Sequence, residues 1–184
     1  MGFRTDLAIE NKEMYDEQNK EGKREIPGVE IVTETYQEMV QITRIRILDD
    51  RGSAAMAKPP GNYITIELPN VVDGPGEDKV IAGEALSREL KRLIPVKEDF
   101  RALVVGLGND KVTPDALGPN TASKIKVTRH YYLLSQSSME DQNLSCVSAF
   151  IPGVMGNTGI ESAELIRSAA ELARPDVIIA VDAL

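Results

Sequence analysis

The sequence predicts an α/β fold in three layers, with a mainly parallel central sheet and a β-rich segment on its N-terminal side. The apolar run at 102–106 lacks the polar alternation of a strand with one solvated face, so we expect it to be covered on both faces, and a second apolar run at 177–181 predicts another buried strand. Segments with a helical period separate such runs, and strands that alternate with helices are typical of a parallel sheet. The chain has 4% aromatic residues and no Trp, so we expect a core of small and branched aliphatic side chains.

The first part of the chain forms the β-rich segment. Residues 1–25 are charged and show no strong period, so we expect a mobile arm that contains a short helix. Frequent β-branched residues in 29–48 predict two antiparallel strands, and clean alternation at 63–68 predicts a third. The Asp-Asp-Arg-Gly-Ser sequence at 49–53 indicates a turn between them.

The remaining elements alternate between helix and strand. After a loop at 69–78, apolar residues at helical spacing predict an amphipathic helix over 81–94. The elements predicted after it are a strand at 102–106, a helix over about 120–134, a strand at 146–151, a helix over about 160–173 and a strand at 177–181. We interpret residues 1–184 as a single α/β domain that is truncated at its C-terminal end, just after the last strand.

Charge and cysteine content restrict the partners and the compartment. The formal net charge is −8, which repels phosphate backbones and anionic lipids, so we expect no direct contact with nucleic acid or a membrane. The one cysteine, Cys146, cannot form an intramolecular disulfide, and the polar N-terminus lacks the apolar core of a signal peptide. We therefore predict a cytoplasmic protein.

Two aspartates follow predicted buried strands and are the candidate catalytic residues. Asp182 comes directly after the run at 177–181, where an acidic residue is more often functional than structural. Asp115 lies in the loop after the strand at 102–106, and the restricted backbone of Pro114 stiffens the turn that carries it. Because ligands bind outside the carboxyl ends of parallel strands, we expect both carboxylates in one cleft. The alternative is that Asp115 only caps a helix.

Gly108 and Asn109 lie in the loop that leads to Asp115 and are candidates for substrate binding. A dinucleotide fingerprint would need a further glycine at the position of Lys111, and no helix is predicted to begin there. We therefore do not expect a nucleotide cofactor.

A second glycine-rich loop, with Gly156, Thr158 and Gly159, follows the strand at 146–151. Its backbone could bind an extended substrate, and the helix after it offers free N–H groups in its first turn. The alternative is an ordinary connection in which Thr158 caps that helix.

The residues that usually bind metals are scarce. His130 is the only histidine and Cys146 the only cysteine, so a zinc site of Cys and His ligands is excluded, and we expect neither a metal nor another cofactor. A carboxylate site made of Asp115, Asp182 and Glu161 is the alternative. We expect His130 to lie at the surface or to pack against its neighbours, because no Ser or Cys stands in a strained elbow motif that would need it.

Six short motifs, most of them in the loops after predicted strands, can be compared with known protein families. They are Gly-Leu-Gly-Asn at 106–109, Thr-Pro-Asp-Ala-Leu-Gly-Pro at 113–119, Thr-Arg-His at 128–130, Pro-Gly-Val-Met-Gly at 152–156, Thr-Gly-Ile-Glu at 158–161 and Ile-Ala-Val-Asp-Ala-Leu at 179–184. Together they resemble the spore germination protease family. Arg-Thr-Asp-Leu-Ala at 4–8 is similar to the segment near which that family's zymogen is trimmed. The resemblance spans most of the chain but only about the N-terminal half of a family member.

The resemblance implies an endopeptidase that degrades small acid-soluble, DNA-protecting proteins during spore germination. It also implies synthesis as an inactive precursor, assembly as a homotetramer, and a fold similar to that of the hydrogenase maturation proteases. The two aspartates of this atypical aspartic peptidase family correspond to Asp115 and Asp182. The match is weakest at 49–62 and 135–143.

Two carboxyl groups in one cleft can share a proton, so one can activate water while the other protonates the leaving amine. The sequence does not assign which aspartate has which role. A hydrogenase-maturation-type protease, in which acidic residues recognise nickel, is one alternative, and a non-catalytic binding domain is another. We expect the 184-residue chain alone not to turn over substrate, because nothing after the last strand supports the loop of Asp182.

Overall fold

A computed structural model describes residues 7–18, 26–68, 76–95, 97, 99–134 and 145–183. The chain divides into two compact units, Met1–Leu93 and Ile94–Leu184. Of the arm expected at 1–25, residues 1–6 and 19–25 lie outside the described residues. The interpretation of the whole chain as one domain stays a prediction.

The N-terminal unit contains an antiparallel sheet with the strand order β1-β2-β3. Its described elements are α1 (Ala8–Gln18), β1 (Val29–Tyr36), β2 (Val40–Ile47), α2 (Asp50–Met56), β3 (Gly61–Glu67) and α3 (Gly76–Leu93). The two antiparallel strands predicted in 29–48 and the third strand after them are confirmed.

Both faces of this sheet are covered. Successive side chains of a strand point to opposite faces, so Ile45 and Ile47 lie on one face of β2 and Val40 and Ile42 on the other. The first pair packs in a core cluster with Met56 of α2. The second pair packs with Ala85 of α3, and α1 also contacts β2 and β3. The unit therefore has helices on two sides of a sheet.

The turn predicted at 49–53 is wrong, because a helix begins there. The Asp49 carboxylate accepts hydrogen bonds from the backbone N–H groups of Arg51 and Gly52, each at 3.0 Å, and so caps the N-terminus of α2. Asp and Gly are common in turns, but Asp is also a preferred helix cap. Ala54 and Ala55 then extend the helix, since Ala has the highest helix propensity.

Charged side chains join α3 to the sheet. The Arg44 guanidinium of β2 donates two hydrogen bonds to the Glu89 carboxylate of α3, at 2.6 and 2.7 Å, and one to Glu34 of β1 at 2.8 Å. Arg88 of α3 donates to the same Glu34 at 2.9 Å. The Glu89 side chain is only 3% exposed, and its hydrogen bonds from Arg44 lower its pKa from the ordinary 4.5.

The C-terminal unit contains a parallel sheet with the order β5-β4-β6. Its described elements are β4 (Arg101–Gly106), a 3₁₀ helix (Thr113–Asp115), α4 (Leu117–Ala122), α5 (Arg129–Leu134), β5 (Cys146–Phe150), α6 (Met155–Thr158), α7 (Ser162–Ala173) and β6 (Val177–Val181). Residues 102–106 of the central strand β4 are buried, as the apolar run predicted. The burial predicted for 177–181 is wrong, because β6 is the last strand of this sheet and Ile178 and Ala180 on one of its faces are exposed. The protein is thus a mixed α/β structure with one parallel and one antiparallel sheet, and the similarity to the hydrogenase maturation protease fold stays a prediction.

The single helix predicted over about 120–134 is wrong. Two short helices replace it, because α4 ends at Ala122, α5 begins at Arg129, and Thr128 between them binds the edge of β5. The Thr128 N–H donates to Val147 O at 2.9 Å, its hydroxyl donates to Ser145 O at 2.6 Å, and the hydroxyl accepts from Val147 N–H at 2.8 Å. These tertiary hydrogen bonds outweigh the local helical pattern.

Two features near the last helix also differ from the prediction. The short helix α6 was not predicted, and the helix expected from about 160 begins at Ser162. Gly159, with φ at 71°, ends α6 in a left-handed conformation that glycine adopts without strain. No helix in the described ranges is both long and apolar enough to cross a membrane.

Candidate functional site

Strand order places a topological switch point between β4 and β6. From β4 the chain crosses to β5 on one side, then returns past β4 to β6 on the other side. In open parallel sheets of this order, ligands bind at the carboxyl ends of the two strands that flank the switch point. Those ends are Gly106 and Val181, which are paired in the register. Asp115 and Asp182 follow these two strands.

Asp115 lies at the end of the 3₁₀ helix, in a loop that is closed by its own hydrogen bonds. The Asn109 N–H donates to the Asp115 carbonyl oxygen at 3.0 Å, and the Asp115 N–H donates to Val112 O at 2.8 Å. The Asn109 side-chain oxygen accepts from the Lys111 N–H at 3.0 Å. The half-buried Asp115 is therefore held at its main chain on both sides.

Gly108 packs directly beneath Asp115. Its φ is 110°, a conformation that side chains rarely allow, and a Cβ there would overlap the Asp115 carbonyl oxygen and lie 2.8 Å from a carboxylate oxygen. Gly108 and Asn109, which the sequence indicates for substrate binding, thus lie against Asp115. Their contact with a substrate stays a prediction.

Asp182 is exposed and directly follows β6. One of its carboxylate oxygens accepts a hydrogen bond from the Ala183 N–H at 2.9 Å. The preceding carbonyl, Val181 O, accepts from the Leu107 N–H at 2.8 Å. Since Leu107 begins the loop that leads to Asp115, the two aspartate-bearing segments start from residues that are hydrogen-bonded to each other.

The loop after β5 lies on the other side of β4 from β6. The Thr158 hydroxyl closes this loop on itself, donating to Ile160 O at 3.0 Å and accepting from the Ile160 N–H at 3.2 Å. Thr158 does not cap α7, whose cap position is Glu161. Gly156 is exposed and has open space around it, so a peptide could approach its backbone.

His130 and Cys146 are not part of the loops that follow the parallel strands. His130 is exposed on α5 with its ring 3.9 Å from the ring of Tyr131, as expected for a surface position. Cys146 of β5 is buried and free, and burial raises the pKa of its thiol. Within the described residues, no three His, Cys, Asp or Glu side chains are placed to hold a metal ion. That no metal takes part stays a prediction.

Gly118 and Leu107 are two residues of the site that sequence reasoning missed. Gly118 is buried against the carbonyl oxygens of Leu107 and Val181. The motifs at 106–109 and 113–119 contain these two residues, but the motifs do not reveal that the residues contact each other.

Comparison with known proteins identifies the family. The family model described as germination protease matches residues 8–184. The chain is 46% identical over 184 residues to a germination protease of Caldanaerobacter subterraneus subsp. tengcongensis, covering 100% of this chain and 54% of that protein. It is 41% identical to one of Clostridium tetani, with 100% and 55% covered, and 40% identical to one of Bacillus cereus, with 98% and 49% covered. The chain thus spans about half the length of the curated relatives it matches. On this basis the chain belongs to the germination protease family.

Proposed function

We propose that the chain is the part of a germination endopeptidase that carries its two catalytic carboxylates, Asp115 and Asp182. The observation that supports this most is their position at the switch point of the parallel sheet, in the segments that follow β4 and β6. The Leu107 N–H, just after β4, donates a hydrogen bond to Val181 O at the end of β6. The names of the matched relatives agree with a protease that acts at germination.

The proposed mechanism is general acid–base hydrolysis of a peptide bond. One carboxylate removes a proton from water as the water oxygen attacks the scissile carbonyl carbon, and the other carboxyl group gives its proton to the leaving nitrogen. The net reaction adds one water across the C–N bond. The pair still holds one proton afterwards, now on the other carboxyl group, and transfer of that proton between the two groups restores the starting state. The fixed main chain around Asp115 favours this role, because catalytic groups act best when they are positioned in advance.

The proposed substrates are the small acid-soluble, DNA-protecting spore proteins that the family resemblance implies. An extended segment of such a protein could pair with the open backbone near Gly156 and Gly159 while its scissile bond reaches the aspartates. We further propose a cytoplasmic, spore-core location, synthesis as a zymogen and a homotetrameric assembly for the full-length protein.

The experiment that tests the function replaces each aspartate by asparagine in the full-length protein. Asp115→Asn and Asp182→Asn keep the side-chain shape but remove proton transfer, so each should lower kcat by at least about a hundredfold. Specific cleavage of a small acid-soluble spore protein is followed by gel and mass spectrometry.

Asp110→Asn is the matched control, because Asp110 is exposed in the same loop. It should retain activity. If Asp115→Asn or Asp182→Asn cleaved substrate within about tenfold of the wild-type rate, the acid–base role would be refuted. Such a result would mean that other residues of the full-length protein catalyse cleavage, and it would favour a non-catalytic binding role for residues 1–184.

A further inference from the structure

Gly118, in the first turn of α4, lies where the two aspartate-bearing segments meet. A Cβ on Gly118 would overlap the carbonyl oxygens of both Leu107 and Val181 and would lie 2.6 Å from Leu107 N. The hydrogen bond from the Leu107 N–H to Val181 O, 2.8 Å long, runs across the same spot. We call this meeting of Gly118, Leu107 and Val181 the Gly118 contact.

Each member of the Gly118 contact is close in sequence to a proposed functional residue. Leu107 precedes Gly108, which packs under Asp115, and Val181 precedes Asp182. Gly118 itself follows Asp115 through Ala116 and Leu117. The Gly118 contact, in which Gly118 is buried and Leu107 and Val181 are half-buried, therefore connects both segments.

We propose that Gly118 is a positioning residue that sets where the Asp115 segment stands relative to Asp182. This rests on the proposed function of the two aspartates. The atoms that a Cβ would meet belong to main chain, which cannot rotate away as a flexible side chain can, so the segments must move apart. A displacement of about 1 Å in an active site can lower the rate about a hundredfold.

A purely structural role of Gly118 is the competing explanation. Gly118 also helps to pack α4 on the sheet, since a Cβ on Gly106 of β4 would meet the Gly118 carbonyl group and Ala122. A structural role lowers stability but leaves kcat of the folded protein unchanged. A positioning role lowers kcat of molecules that are folded and that bind substrate normally.

The test is Gly118→Ala in the full-length protein, with Gly83→Ala as the matched control. Gly83 is exposed in α3, and a Cβ there would meet nothing within 4 Å. Per folded molecule, Gly118→Ala should lower kcat about a hundredfold and change KM by less than about twofold, whereas Gly83→Ala should change neither. Hydrogen exchange should show the Leu107 amide opening at least about tenfold more often in Gly118→Ala alone.

The exchange readout keeps the proposal testable if Gly118→Ala does not fold. In wild-type protein the Leu107 amide should be protected, and exchange as fast as in an unstructured peptide would overturn the proposal without any variant. Gly106→Ala should loosen the same contact from the sheet side, since its Cβ would lie 2.6 Å from the Gly118 carbonyl carbon. A folded variant of either glycine with an exposed Leu107 amide and kcat within about threefold of wild type would also overturn it.

The experiments can refute the catalytic role of the two aspartates and the positioning role of Gly118 independently. If Asp115→Asn and Asp182→Asn remain active, the proposed function fails whatever the glycine variants do. If those variants are inactive but Gly118→Ala is folded and fully active, only the positioning role fails.

Discussion

Glu89→Gln should destabilise the N-terminal unit, residues 1–93, more than any exposed charge substitution on the same helix. The Glu89 carboxylate is 3% exposed and accepts two hydrogen bonds from Arg44, whose side chain is 19% exposed. Glutamine keeps the shape and one acceptor oxygen but leaves the Arg44 charge without its buried partner. Breaking such a pair costs several kcal/mol, and since Arg44 keeps its bond to Glu34, we expect a loss of about 2–4 kcal/mol.

The same pair predicts how this loss depends on pH. The hydrogen bonds from Arg44 lower the folded-state pKa of Glu89 below its ordinary 4.5. A lowered pKa means that the stabilisation is complete above the unfolded-state value and is lost as pH falls through the folded-state value. Wild type and Glu89→Gln should therefore differ most near neutral pH and converge in acid.

The assay is urea unfolding at several pH values, read by hydrogen exchange in β2, which reports on the N-terminal unit alone. Glu84→Gln is the matched control, because Glu84 is exposed on the same helix and its contact to Tyr36 is long, at 3.4 Å. The control should change the free energy of unfolding by less than about 0.5 kcal/mol. Equal effects of the two variants at neutral pH, or a difference that grows in acid, would refute the reasoning.

Two further predictions concern the C-terminal unit and the chemistry. Thr128→Val should lower the free energy of unfolding by about 1–3 kcal/mol, measured by thermal unfolding, because Ser145 O and Val147 N–H lose the buried Thr128 hydroxyl as hydrogen-bond partner. Thr33→Val, at an exposed strand position, is the control and should be nearly neutral, and equal effects of the two variants would contradict the prediction. Cleavage by the full-length protein should survive chelation with EDTA, since the sequence lacks a cluster of imidazole or thiolate ligands. Activity that is lost on chelation and restored by added metal would instead favour the hydrogenase-maturation-type reading.

The sequence alone predicted those elements whose hydrophobic pattern fits only one type of secondary structure. A continuous apolar run next to glycine, as in β4, identifies a buried strand, and alternation in β1 to β3 identifies the antiparallel sheet. It was insufficient where one pattern fits two structures. Asp49 fits a turn and a helix cap equally well, and the structure has the cap.

Contacts between distant segments explain the other differences. The helical pattern of 120–134 is interrupted because Thr128 is hydrogen-bonded to Ser145 and Val147 at β5, a long-range contact that cannot be deduced from the local sequence. The position of Asp115 and Asp182 at one sheet edge could be predicted, since both follow strands. The role of Gly118 could not, because it depends on how closely α4 approaches the ends of β4 and β6.

The central claim is that Asp115 and Asp182 act as one catalytic unit. The most direct test is kcat for Asp115→Asn, Asp182→Asn and the double variant in the full-length protein, with spore protein as substrate. If both groups act in the same catalytic step, kcat of the double variant should lie within about threefold of kcat of the slower single variant. Losses that multiply in the double variant, or a single variant with nearly wild-type kcat, would contradict the claim.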